Sequence, residues 1–240
     1  SLFYFIIGLS KKENLSKNIG TPPVSVIVAV RNGEKNISRL LNSLKTQTYH
    51  GQMEFIIVDD QSTDTTINII QNFNKIDSRF KYFSSEDGDK KLAHKKRALD
   101  FGIKNAQFEH LIFTDIDCIL QNSWIENMIL SFTEETHYLI GYAEAVDDTT
   151  SASKFQKIDF FMLLSAARGM VNNKSAWACT GQNQGYRKSL YNAVGGFSKI
   201  EKQVQGDDSL FLLLCRKAKN INVNFANNPE SFVISRPELT

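Results

Sequence analysis

Apolar, β-branched runs alternating with helix-length amphipathic stretches predict an α/β protein built on a doubly wound, mostly parallel sheet flanked by helices. Three observations carry that expectation. Residues 24–30, 55–58 and 111–113 are apolar at nearly every position, as in strands buried on both faces. Between the first two runs, Ile37, Leu40, Leu41 and Leu44 recur at helical spacing. Each run also ends in polar residues: Arg31-Asn32-Gly33-Glu34, Asp59-Asp60-Gln61-Ser62 and Asp115-Ile116-Asp117. Open parallel sheets bind their ligands beyond the carboxyl ends of the strands, so three such clusters share one rim.

The elements follow in order. Thr21-Pro22-Pro23 punctuates the start of folded structure, a strand covers 24–30, and a helix runs from Ile37 toward Thr48. A second strand spans 55–58. Asp64 has the position of an N-cap for a helix carrying Ile67, Ile69, Ile70 and Phe73. A strand at 79–84, a helix at 90–106 and a strand at 110–114 complete the first half. The second half is less regular. Its pattern gives a helix at 124–132, an extended stretch at 138–146, a long apolar helix at 154–171, a Gly- and Asn-rich stretch at 181–186, a turn at Gly195-Gly196-Phe197 and a last helix at 207–217.

With 42% hydrophobic and 22% charged positions, the 240 residues exclude a disordered tail, a collagen-like fibre and a disulfide-stapled miniprotein. A net charge of +2 gives no reason to expect a nucleic acid partner. Cys118, Cys179 and Cys215 form no Cys-x-x-Cys pair, as expected of reduced thiols in a cytosol. The apolar stretch at 2–9 stops at Ser10-Lys11-Lys12. It fits either a short docking element or the cut end of a membrane helix whose basic flank marks the cytoplasmic side. Residues 1–20 are therefore expected to be an anchor stub or linker, and 21–240 a single domain at the cytoplasmic face of a membrane.

Alternate carboxylates at a strand end, as in Asp115-Ile116-Asp117, suit one hard cation, Mn²⁺ or Mg²⁺, completed by substrate phosphates. The basic run around His94 contains Lys90, Lys91, Lys95, Lys96 and Arg97; a solvated helix face is the plain reading, and Lys95 reaching a diphosphate the functional one. In Gly206-Asp207-Asp208, a carboxylate serves either as a helix cap or as a general base. No Gly-x-Gly-x-x-Gly follows the first strand and no Gly-x-x-x-x-Gly-Lys-Ser/Thr occurs, which argues against a dinucleotide dehydrogenase or P-loop ATPase.

In this order the motifs resemble those of the family 2 inverting glycosyltransferases of GT-A fold, over about residues 22 to 218. The opening resembles 24–49 with Asn32, Glu34, Gln47 and Thr48, and the Val-Asp-Asp-x-Ser-x-Asp-x-Thr signature resembles Val58 to Thr66. The Gly-Lys-x-x-Ala-Leu-Asn-x-Gly segment is similar to His94 to Gly102. The DxD is Asp115-Ile116-Asp117, the acceptor-side segments resemble Gly181 to Lys188 followed by Val194-Gly195-Gly196-Phe197, and Glu-Asp-x-x-Leu is similar to Gly206 to Leu210.

The resemblance implies a nucleotide-binding half at about 21–120 and an acceptor-binding half at about 121–240. It implies nucleotide contacts from Ala29, Arg31, Glu34, Asp60, Lys95 and Asp115, a divalent cation on Asp117 and Asp115, and Asp207 as the base. The donor is then a nucleotide diphosphate sugar, a UDP-sugar by preference, and the acceptor a saccharide or lipid-linked hydroxyl. Three departures stand out: Arg31 where a stacking Tyr is common, Gly206 for the usual Glu, and no Gln-x-x-Arg-Trp in these residues. The last is the pattern of a non-processive transferase or of a shortened chain. Two rivals remain, a degenerate GT-A domain that binds without turnover and a haloacid dehalogenase-like phosphohydrolase, whose Asp-x-Asp and Gly-Asp-Asp are mimicked here.

Overall fold

The structure is a computed structural model and describes residues 2–11, 20–145, 151–203, 206–218 and 220–235. Helix α1 (Leu2–Ser10) precedes the sheet. The first half then runs β1 (Val24–Val30), α2 (Ile37–Lys45), β2 (Met53–Asp59), α3 (Thr66–Ile76), β3 (Phe80–Ser84), α4 (His94–Asn105) and β4 (His110–Phe113). These four strands are parallel in the order β3-β2-β1-β4, with Val26 of β1 opposite both Phe55 and Ile112. β1 is buried throughout except for the half-buried Ala29, which explains its unbroken apolar run. The order reverses at β1: β2 and β3 build to one side, and the chain then crosses to place β4 on the other. A crevice therefore opens over the carboxyl ends of β1 and β4.

The second half runs β5 (Cys118–Leu120), α5 (Trp124–Leu130), β6 (Tyr138–Gly141), β7 (Ala143–Ala145), α6 (Ser151–Asn172), β8 (Gln184–Arg187), α7 (Lys188–Val194), α8 (Ser209–Arg216), β9 (Val223–Ala226) and β10 (Val233–Ser235). The main sheet continues as β4-β8-β6-β9, and β5-β10-β7 form a second, three-stranded sheet. β8 is antiparallel to both of its neighbours, the one reversal in the main sheet. It falls in the Gly- and Asn-rich stretch, where the residue pattern gave no strand. Gly185 is the reason it fits: a Cβ there would stand 2.8 Å from Leu111 O and 3.1 Å from the Phe132 ring.

Other boundaries shift for local reasons. The extended stretch at 138–146 divides into β6 and β7 at Tyr142, with Val146 outside the described residues. α4 begins at His94 and not at Lys90, because Asp89 closes a turn by accepting the Lys91 N–H on its side chain (3.0 Å) and the Leu92 N–H on its carbonyl (3.0 Å). α8 begins at Ser209, two residues later than its sequence suggests. β9 and β10 lie past the last element the sequence pattern marks. α1 packs against α6, and among the described residues no helix is long and apolar enough to cross a membrane.

Two glycines set the site's framework. Gly102 lets α4 lie close over β1 and β2, since a Cβ there would come 2.8 Å from Ile27 Cγ2 and 3.0 Å from Val58 Cγ2. Gly33, after β1, accommodates Ile116: a Cβ on it would overlap the Ile116 side chain and crowd Val30 Cγ2 at 2.8 Å. Gly33→Ala should therefore destabilise the fold by about 1–3 kcal/mol, read as a lowered melting temperature, and displace the Asp115–Asp117 loop. An unchanged melting temperature would show that the loop yields freely.

His110 begins β4, edge-on to Phe132 with ring centroids 5.0 Å apart. Burial, reinforced by the Arg187 charge, brings its imidazole from 6.5 down to about 4. The fold thus keeps the ring neutral where the unfolded chain would protonate it. The stability this protects is intact above pH 6.5 and is lost as pH falls from 6.5 toward 4. With the ring's partial exposure discounted, the loss is about 2 kcal/mol. Chemical denaturation at neutral pH and in mild acid should show wild type losing more stability than His110→Gln; equal losses would contradict the assignment.

Candidate functional site

Three consecutive cations leave the first turn of α4 for three different partners. Lys95 Nζ donates to Asp115 Oδ1 at 2.7 Å and pairs with Asp207 Oδ2 at 3.5 Å. Lys96, buried, donates to Ile200 O at 2.6 Å and to Gln203 O. Arg97 reaches Asp60 Oδ1 and Ser85 Oγ, each at 3.5 Å. Lys96 and Arg97 thus depart from the plain reading of this run as a solvated face, while Lys95 remains 37% exposed in its side chain between its two carboxylates. Burial works against the Lys95 charge, but the carboxylates of Asp115 and Asp207 outweigh it and hold the ammonium above the ordinary lysine value. Gly181 backs the cluster, since a Cβ on it would lie 3.3 Å from Lys95 Nζ and 3.6 Å from Asp207 Oδ2.

The two acids before α8 have separate duties. Asp208 is the N-cap, its Oδ1 accepting the Ser209 N–H at 2.5 Å. Burial, aided by the neighbouring Asp207 charge, lifts the Asp208 carboxyl above the usual range, against the N–H groups of Ser209 and Gly181. Asp207 is left to face Lys95. Gly206 precedes it at φ +106°, in a region L side chains rarely adopt, so a Glu at that position would strain the turn. Lys96 fastens the chain just upstream by holding the carbonyls of 200 and 203.

The loops after β1 and β2 are laced together. Asn32 N–H donates to Ser62 Oγ at 2.8 Å, and Asn32 Oδ1 accepts the Thr63 N–H at 2.8 Å. The Gly33 N–H donates to Thr66 Oγ1 at 2.8 Å, the Glu34 N–H to Asp64 Oδ2 at 3.1 Å, and the Thr65 hydroxyl to Glu34 Oε2 at 3.0 Å. Asn32 (φ 50°) and Gln61 (φ 63°) take left-handed conformations at the tips. Glu34 thus spends its carboxylate on the lacing, and Asp64 caps the turn through the Thr66 N–H at 3.0 Å, with Thr65 as the N-cap of α3. Asp59 accepts the Ser62 N–H at 3.1 Å within its own turn, whereas Asp60, buried, is held by Ser85 Oγ at 2.8 Å beside Arg97. Ala29 is half-buried near the end of β1, and Arg31 just beyond is exposed.

Asp115 and Asp117 have different partners. Asp115 faces Lys95; Asp117 Oδ2 accepts the Ser235 hydroxyl at 2.7 Å, and Gln182 Nε2 donates to the same Ser235 oxygen at 2.8 Å. Ile116 between them packs toward Gly33. Among the described residues, no three His, Cys, Asp or Glu side chains converge as a metal group. The donor set is hard oxygen and suits Mg²⁺ or Mn²⁺ only as the carboxylate share of a site that substrate phosphates complete.

Lys96, Arg97, Ser85, Gln182 and Ser235 were not assigned roles from the sequence. The basic run signalled the first two; nothing in the pattern signals Ser235, which β10 brings to Asp117 from far along the chain. Asn183, from the segment that resembles an acceptor motif, is fully buried. It donates to Tyr142 O and Ser231 O, both at 2.8 Å, and accepts from Trp124 Nε1 at 3.2 Å, so it fastens the core. A separate cavity of about 760 Å³, lined by Lys174, Arg216, Asn222 and Asn224 among others, lies by the N-terminal end of β9 and not at this cluster.

The sequence model described as Glycosyl transferase family 2 matches residues 25–195. EpsH of Bacillus subtilis, named as a glycosyltransferase, is 35% identical over 130 residues, 54% of this chain and 36% of its own length. The poly(ribitol-phosphate) β-N-acetylglucosaminyltransferase TarS of Staphylococcus aureus is 30% identical over 115 residues, 47% of this chain and 19% of its own. The chain thus spans about a third or less of the length of these two relatives. In structure, the mannosyltransferase PcManGT of Pyrobaculum calidifontis, solved with GDP-Man and Mn²⁺, superposes with a TM-score of 0.72 at 19% identity, over 98% of this chain and 63% of that one. TarS residues 1–349, solved with UDP, superposes with a TM-score of 0.62 at 18% identity, over 90% of this chain and 61% of that one. A family match across most of the chain, on a mostly parallel sheet shared with these transferases, leaves the phosphohydrolase rival without support: the chain belongs to glycosyltransferase family 2 and has the GT-A fold.

Proposed function

We propose that the chain transfers a sugar, with inversion, from a nucleotide diphosphate sugar to a hydroxyl of a saccharide or lipid-linked acceptor. The observation that carries this reading is Lys95, held between Asp115 of the first half and Asp207 of the second. Its ammonium, at the N-terminal turn of α4, is a ready counter-charge for a diphosphate. Asp60, held by Ser85 with Arg97 alongside, serves the base, and the exposed Arg31 can stack on it; UDP is favoured because the Asp60 oxygen not held by Ser85 matches uracil's one N–H donor, whereas guanine presents an exocyclic NH₂ beside its ring N–H. TarS was solved with UDP and PcManGT with GDP-Man, so guanine is the second base to test.

In the reaction, the acceptor oxygen attacks the anomeric carbon as the bond from that carbon to the diphosphate oxygen breaks. Asp207 takes the acceptor's proton, and the electron pair of the broken bond leaves on the diphosphate, where Lys95 meets it. One displacement inverts the configuration. A divalent cation on Asp117 and Asp115, when bound, would add Lewis-acid stabilisation of the leaving group.

Binding and turnover test this separately. Thermal shifts with UDP and GDP in Mn²⁺ should show one nucleotide stabilising the protein, by about 2.7 kcal/mol at ~100-fold excess over Kd. In Asp207→Asn that binding should persist while sugar transfer or donor hydrolysis falls by about two to four orders of magnitude. Asp208→Asn should stay close to wild type, because Asn caps a helix nearly as well as Asp. Full activity in Asp207→Asn removes the general-base role from this residue, and a nucleotide-bound protein without turnover would favour a degenerate binding domain.

A further inference from the structure

The cavity of about 760 Å³ lies on the opposite rim of the main sheet from the ion cluster. Val223, the first residue of β9, pairs with Tyr138 at the start of β6, Tyr138 with Tyr186 of β8, and Tyr186 with Leu111 near the start of β4. The cluster stands beyond the other end of β4. Helix α8 joins the two places: it starts just after Asp207 and Asp208, and its last residue, Arg216, lines the cavity about 10 Å farther along the axis. The stretch 176–181 runs beside that helix. Arg216 Nη1 donates to Ala176 O in the cavity wall, the Ser209 hydroxyl donates to Cys179 O at 3.1 Å, and Gly181 backs Asp207.

The charge at the cavity decides what class of ligand it suits. Three helices end there and each brings a cation: Lys11 after α1, Lys174 after α6 and Arg216 in the last turn of α8. Alone, these would mark an anion site. A helix C-terminus carries about half a negative charge, so the three ends oppose about half of that cationic charge. The Glu135 carboxylate on the cavity wall offsets most of the rest. The balance is close to neutral, while hydrogen-bonding capacity remains. Among the described residues, the exposed side chains of Glu135, Lys174, Asn220 and Asn222 have no hydrogen-bond partner within the protein. Donors and acceptors mixed on one neutral wall match hydroxyl groups, which both donate and accept.

We propose that this cavity is a second saccharide site, which takes a neutral stretch of glycan remote from the hydroxyl that is glycosylated. Its volume is that of a pocket for a small organic ligand. Trp177, next to Ala176 in the wall, is exposed and offers a flat ring on which the apolar side of a sugar can lie. From there the seam between α8 and 176–181 leads to Asp207, so one extended glycan can occupy the cavity and still reach the cluster. Lys174 has a backbone φ of 57°, the conformation that glycine ordinarily supplies after a helix, yet a long cationic side chain stands there. The use of the site by an acceptor rests on the transferase reading; the binding of a saccharide does not.

The test is saturation-transfer NMR of the full chain with cellotetraose, maltotetraose, mannotetraose and N-acetylchitotetraose, and with inorganic phosphate as the anionic probe. Wild type should bind at least one of the tetrasaccharides, and saturating UDP with Mn²⁺ should leave that binding in place. The triple variant Lys174→Gly, Trp177→Ser, Asn222→Ala should keep its melting temperature, because all three side chains are exposed and glycine suits the backbone at 174. It should lose roughly tenfold or more in affinity for the saccharide. Lys174→Gly alone should weaken binding in the same direction. Any of three results overturns the proposal: no tetrasaccharide bound by wild type, phosphate bound in place of every saccharide, or a triple variant that binds as wild type does. The last would place the saccharide at the reaction centre. UDP binding in the same samples keeps the outcomes apart, since a chain that binds saccharide and no nucleotide fails the transferase reading alone.

Discussion

The ion cluster of Lys95 with Asp115 and Asp207 is the interaction on which the arrangement of the site depends. Its members come from the start of α4, the end of β4 and the approach to α8, so it joins the two halves of the chain at one point. Two carboxylates this close would repel each other without the cation, and Lys95, its side chain 37% exposed, bridges them at the solvent edge of the crevice. The cluster stands over the carboxyl ends of β1 and β4, where the strand order reverses. Sheet topology thus places the charge, and the charge holds the second half against the first.

Around it the neighbours act as fasteners, which leaves few side chains free for a ligand. Lys96 holds the chain upstream of Asp207, Asp208 caps α8, and Gly206 turns the backbone between them. Ile116 seats against Gly33, so that the acids on either side of it diverge, one toward Lys95 and the other toward Ser235. Glu34 and Asp64 bind each other's loops. After these duties, Asp207, Lys95, Asp60 and the exposed Arg31 are the groups best placed to meet a donor and an acceptor.

What the sequence makes legible follows from how strongly each residue pattern depends on local physics. β1 and β2 are plain because burial on both faces demands unbroken apolar runs, and α2 because one buried side repeats at helical spacing. β8 is hidden because its fit depends on Gly185 and on contacts with β4 and β6, and glycine marks loops more often than strands. At the site, the positions of Asp60, Asp115 and Asp207 were readable from motif order. The fan of Lys95, Lys96 and Arg97 was not: consecutive charges at a helix start look alike until their partners are known. Nor was the choice of cap between Asp207 and Asp208, which turns on a single residue of helix boundary. Ser235 is the extreme case, since its meeting with Asp117 exists only through β10 pairing with β5.

The account stands or falls on Lys95 serving a diphosphate. Calorimetric titration of UDP, GDP and their parent nucleosides into wild type and Lys95→Met, with Mn²⁺ present, tests it directly. The account predicts that the variant loses roughly tenfold or more in affinity for the nucleotide diphosphate while its affinity for the nucleoside is unchanged, the signature of a lost charge–phosphate contact. A Lys95→Met protein that binds the diphosphate as tightly as wild type would contradict it and reduce the Lys95 cluster to a structural clasp.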